Sequence, residues 1–159
     1  LLEDVSTHIA LVGTPDPKAP ELTPRDLTTA EAARWLQNKA NRNYLNCPLL
    51  ATVRGKIKEV QGAEANTPAK GALSGKLEPL PKIFAPKALY DAGFGVDRTL
   101  LLDNSTAGFT IRTSVRNNIS FTQIPVDSRT YTGVLSYYSD WQMQLRSLDD
   151  IQPSTVHTK

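Results

Sequence analysis

The chain has 159 residues, about one domain's length, with 40% hydrophobic and 21% charged residues, a mix that excludes collagen, a coiled coil and a wholly disordered polymer. Eighteen basic residues against sixteen acidic ones leave a net charge of +2, too near balance for bulk attraction to nucleic acid or an anionic membrane. The single cysteine, Cys47, allows no intrachain disulfide, which excludes a small disulfide-stapled scaffold.

No apolar run approaches the roughly 20 residues of a membrane helix, so no membrane span is expected within the chain. With a start at Leu1 rather than Met, processing or an upstream segment is expected. The composition changes near residue 85. All six glutamates precede it, eight of nine lysines lie at or before Lys87, and nine of eleven aromatics lie from Phe84 onward. Glu and Lys favour helix or solvent, whereas Thr, Tyr and Phe favour strands. The first half therefore reads as mixed and the second as antiparallel β.

Along the chain, Val5–Val12 has the composition of a strand. Pro15, Pro17, Pro20 and Pro24 then crowd a short segment, which defeats helix and ladder alike and leaves an extended arm over 14–24. Thr28-Thr29-Ala30-Glu31 has the pattern of a capping box, and the spacing of Leu36, Ala40 and Tyr44 predicts a helix running to about Tyr44. Asn43, Asn46 and Pro48 stop it. Leu49 to Val60 reads as a strand. Residues 61–82 are rich in Gly, Pro and small side chains and read as a long loop, and Pro86 suits the first turn of a short helix that Gly93 ends.

Strand signals become regular from Arg98. Arg98–Asp103 is followed by a turn, and Phe109, Ile111, Thr113 and Val115 alternate with Thr110, Arg112, Ser114 and Arg116, a period of two. Asn117-Asn118 suits a tight hairpin, with Ile119–Val126 as its return strand and Pro125 at its edge. Thr130–Tyr138 and the alternating Trp141, Met143 and Leu145 complete the pattern. The expected fold is a single α+β domain over 1–159. An N-terminal helix packs on a predominantly antiparallel meander of four or five strands, and residues 152–159 form a loose tail. A β-sandwich with a peripheral helix is the structural alternative.

Most reaction chemistry lacks its residues. His8 and His157 stand at opposite ends, which leaves general-base catalysis poorly supplied. One Cys and two His at long spacing make no zinc site. Gly71–Lys76 is one residue short of a phosphate-binding loop, with Leu77 where a hydroxyl would hold magnesium. Gly93-Phe94-Gly95 lacks the third glycine of a dinucleotide fingerprint. No catalytic residue, cofactor or metal is therefore expected. Asn104-Ser105-Thr106 and Asn118-Ile119-Ser120 have the glycosylation pattern.

Three functions are compatible with this inventory. The first is a non-enzymatic structural subunit of a virion, phage particle or surface filament, partnered by copies of itself or other subunits. There the arm with Pro15, Pro17, Pro20 and Pro24 would cross a neighbour and order on contact. The setting would be a virion or a cell exterior. The second is a small-ligand domain or enzyme with a pocket between helix and sheet, lined by Trp35, Tyr44, Tyr90 and Trp141, with Asp97 or Asp103 as acid or base. The third is a nucleic-acid-binding module. Arg54, Lys56 and Lys58 alternate along one strand and would share a face, and Arg112 and Arg116 do so on a later one. The plain alternative for these five cations is a solvated outer face, with lysine guarding an edge.

Overall fold

The computed structural model describes residues 13–14, 16, 18, 23–58, 82–86 and 94–154. The strand expected at Val5–Val12, most of the proline arm, residues 61–81, all of the short helix after Pro86, and residues 155–159 lie outside these.

In chain order the elements are β1 (Arg25–Asp26), α1 (Ala30–Gln37), β2 (Leu49–Ile57), β3 (Gly95–Leu102), β4 (Phe109–Ser114), β5 (Arg129–Tyr138), β6 (Asp140–Gln144) and β7 (Ile151–Pro153). The sheet order is β1-β2-β3-β4-β6-β5-β7, and β2 also pairs with β5. That extra pairing closes β2, β3, β4, β6 and β5 into a five-stranded barrel, with β1 and β7 as flaps. The meander is thus corrected, and so is the sandwich. Helix and strands are both present, but the strands form a ring that recruits β2 from the first half. One of its seams, β4 with β6, is parallel, Phe109 facing Trp141 and Ile111 facing Met143. Alternation identifies the inward face of each strand but not its neighbours.

β2 makes the closure by serving two partners. Leu49 through Gly55 pair with β5, and Gly55 through Ile57 pair with β3. At Gly55, where both ladders meet, a Cβ would overlap the Leu101 carbonyl. Glycine allows that close approach at the corner of a small barrel. Ala51, Val53, Ile57, Leu100, Phe109, Ile111, Tyr131, Leu135, Trp141 and Met143 fill the interior.

α1 is shorter than its sequence pattern suggests. Its N-cap is Thr29, whose Oγ1 accepts from the Ala32 amide at 3.2 Å. Thr28 is engaged elsewhere, its amide and hydroxyl both donating to Asp26 Oδ1 at 2.8 and 2.7 Å. The helix ends at Asn38, whose side chain caps a 3₁₀ turn, Lys39–Asn41. A second turn, Tyr44–Asn46, follows Asn43 in the same way. Asparagine offers the backbone a local acceptor and interrupts the helix. Tyr44, expected on the inner stripe, is 77% exposed. Ala33 and Leu36 provide the buried face.

α1 is tied to the barrel through tryptophan. Trp141 Nε1 donates to the Leu36 carbonyl at 2.8 Å, and the Trp35 and Trp141 rings lie 5.1 Å apart. Tyr137 meets Trp141 edge-on and the Arg25 guanidinium covers Trp35, contacts that suit the ring quadrupole.

Two further expectations change. The return strand at Ile119–Val126 is absent: Asn117 caps a 3₁₀ turn, Asn118–Phe121, and buried Ile119 joins the core. Gln152 and Pro153, expected in a tail, pair instead with Thr130 and Arg129. Proline is acceptable there because β7 is an edge strand. Asp150, before β7, is buried. Burial opposes its ionisation, but the Arg146 guanidinium and the Arg146 and Ser147 amides outweigh that and hold the carboxyl below its ordinary value.

No helix among the described residues is long and apolar enough to cross a membrane.

Candidate functional site

The pocket proposed between helix and sheet does not form from its four aromatics. Trp141 is fully buried against Trp35, Tyr44 faces solvent, and Tyr90 lies outside the described residues. The two carboxylates proposed with it are on the exterior in ion pairs. Asp97 accepts from Arg112 at 2.8 Å. Asp103 accepts from Arg54 at 3.1 Å and from the Ser128 hydroxyl at 2.8 Å. Cys47 is half-buried, and burial pushes its thiol up despite an opposing backbone hydrogen bond from Tyr137. A raised thiol is a poor nucleophile at neutral pH. Among the described residues no group of three or more His, Cys, Asp or Glu side chains gathers as metal ligands.

The cations are distributed unevenly. Arg54 and Lys56 project from the outer side of β2, and exposed Lys58 follows directly after its end, as the burial alternation requires. Arg112 stands two strands away, with β3 between, and β3 supplies its counter-ion, Asp97. Arg116 is exposed in the turn after β4. The five cations therefore make no continuous stripe. Of the proline arm, Pro24 is half-buried just before β1, while Pro15, Pro17 and Pro20 lie outside the described residues.

Lys56 and Lys58 instead flank a groove. β2 leaves β5 after the Gly55–Arg129 pair but stays with β3, where the Lys58 amide donates to the Thr99 carbonyl at 2.9 Å. Beyond Gly55 the β5 side of β2 thus faces the approach to β5 rather than β5 itself. Ile124, Pro125 and Val126 of that approach form the opposite wall, and the gap holds about 220 Å³. Lys82 completes the lining.

A strap fixes the far wall. Residues 82–86 lie against the 120–124 segment: Phe84 N donates to Thr122 O at 3.0 Å, and Ile124 N to Lys82 O at 2.9 Å. Arg98, only 5% exposed, reaches from β3 to the same strap. Its Nε donates to Phe84 O at 3.1 Å and its Nη2 to Ile83 O at 2.9 Å. A buried guanidinium needs such acceptors, and two carbonyls on one strap make it a clamp.

The groove's chemistry follows from its lining: aliphatic walls with ammonium groups at the rim. The positive end of β2 was legible in the sequence as alternating basic residues. The partner wall was not. Ile124–Val126 and Lys82 are brought to β2 by long-range pairing, which leaves no local spacing signature.

Compared with known families, with curated proteins and with solved structures, the chain matches none.

Proposed function

We propose that this protein is a non-catalytic binding module that takes an anionic ligand at the groove between Lys56–Lys58 and Ile124–Val126. One contrast carries this reading. Arg54, Arg112, Arg129 and Arg146 each have a carboxylate partner. Lys56 and Lys58 have none among the described residues; Arg34, Lys39 and Arg116 share that lack, but of these only the two lysines stand together at the rim of an aliphatic groove. Two like charges held two residues apart on a strand repel, and an arriving anion relieves that repulsion.

The architecture is compatible with such a role. Five-stranded Greek-key barrels of the OB type bind oligonucleotides and oligosaccharides through strand faces and loops, although a fold by itself assigns no function. The assembly-subunit reading depends on an arm, a loop and a tail that fall largely outside the described residues. The helix-and-sheet pocket reading is disfavoured by the tryptophan packing that fills its place.

Fluorescence anisotropy tests the proposal, with labelled polyglutamate and labelled oligothymidylate as probes at low salt. At least one should bind, with affinity falling as salt rises. The exposed double charge reversal Lys56→Glu/Lys58→Glu should weaken it about tenfold or more. Absence of binding by both probes, or equal binding by the variant, refutes the reading.

A further inference from the structure

We infer that the groove docks an extended acidic peptide in which one aliphatic residue stands between two carboxylates. This rests on the reading just proposed and goes further by fixing the ligand class.

Size is the first argument. At about 220 Å³ the groove is smaller than the roughly 300–1,000 Å³ of pockets that enclose a small molecule. It suits one anchoring side chain of a longer ligand.

Wall chemistry is the second. Ile57, Ile124, Pro125 and Val126 are aliphatic, and among the described residues no aromatic ring lines the groove. Single-stranded nucleic acid is held by base stacking on aromatic side chains as well as by charge. The exposed phenylalanines Phe94 and Phe121 lie outside this lining. Charge without a stacking platform favours a carboxylate-bearing peptide over an oligonucleotide.

Register is the third. In an antiparallel ladder successive residues turn their N–H and C=O groups to opposite neighbours. The Lys58 amide bonds to Thr99 of β3, so the peptide group of Ile57 between the lysines faces the groove side. β5 has ended there, since its last pair with β2 is Gly55–Arg129. A peptide laid along this stretch can pair with the Ile57 main chain, extending the ladder where β5 stops. Its side chains alternate as those of β2 do. Residues facing the Lys56 and Lys58 side would be two apart, and the residue between them would face Ile57 and Ile124. Acid, aliphatic, acid is the sequence that satisfies all three positions. Asp127, the nearest carboxylate after Val126, is already paired with Arg129 at 3.0 Å and so competes little for the lysines.

The test uses the whole chain and three labelled probes at low salt: a peptide carrying Glu-Leu-Glu at its centre, the same peptide with Ser for Leu, and an oligothymidylate of equal charge. The leucine peptide should bind about tenfold tighter than the serine one, the difference one buried aliphatic side chain makes. Val126, 84% exposed, can be changed without disturbing the core. Val126→Asp should abolish the leucine preference, and Lys56→Glu should weaken both peptides. Equal binding of the two peptides overturns the inference. So does oligothymidylate binding as tightly as the leucine peptide, which would leave the anionic-ligand reading standing. Concentration-dependent dimerisation that Lys56→Glu abolishes would assign the groove to a second copy and also overturn it. If none of the probes binds, the underlying reading falls as well.

Discussion

Tyr131 lies inside the barrel, fully buried, and its hydroxyl has no hydrogen-bond partner among the described residues. Burial pushes its ionisation far above the ordinary range, with Arg129 opposing this and Asp127 adding to it. An unpaired buried hydroxyl costs free energy that the ring's apolar area offsets. Tyr131→Phe keeps the ring and removes that cost. It should leave the protein as stable or raise stability by up to about 1 kcal/mol in urea titrations. The pH dependence has a definite sign. The folded hydroxyl ionises above its unfolded value, so its titration leaves stability unchanged below about pH 10 and lowers it as pH rises further. The phenylalanine variant should lose less stability than the wild type above pH 10. A loss of 2 kcal/mol or more at neutral pH would instead mean that the hydroxyl is bonded.

Among the elements, α1 depends most on its neighbours. Eight residues are too few for an isolated helix, and its own cap is a single Thr29 bond. What holds it is Leu36 in the core and the Trp141 indole on its last-turn carbonyl. Trp141→Phe removes the donor and part of the Trp35 contact. It should lower global stability by about 1–2 kcal/mol and free residues 30–37 for proteolysis before the barrel opens. Unchanged proteolysis of this segment would show that Leu36 alone secures it. The start and inner face of α1 were legible because capping and spacing are local signals. Its end was not, since Asn38 and Asn43 act as caps of 3₁₀ turns where spacing alone continues a helix to Tyr44. The longer strands β2 to β6 were legible for the same local reason, whereas the two-residue β1 and the three-residue β7 were not. The Ile119–Val126 segment was misread because its apolar residues serve the core and the groove wall without forming a ladder.

At the scale of the whole molecule, closure sets where stability resides. Ala51 and Thr52 lie between β1 on one side and β5 on the other, whereas β7 is a three-residue flap on β5. Native-state hydrogen exchange should place the Ala51–Val53 amides among the slowest, opening only with global unfolding. The Ile151 and Gln152 amides should exchange at least about tenfold faster through local opening. Equal protection would mean that β7 is an integral stave of the barrel. Closure also explains why the ring and its groove were hidden from sequence reading. A period of two says that a strand has an inner face, but not which strand it lies beside. The groove exists only because β2 changes partners at Gly55. The sharing of β2 between two neighbours bears on synthesis too. Thr52 bonds across the seam to Thr132, 80 residues later in the chain. During translation β2 emerges long before the strand that will cover its other edge. Until β5 is made, the nascent chain carries an apolar, half-paired strand, and the interval between the two is when it needs shielding from its neighbours on the polysome.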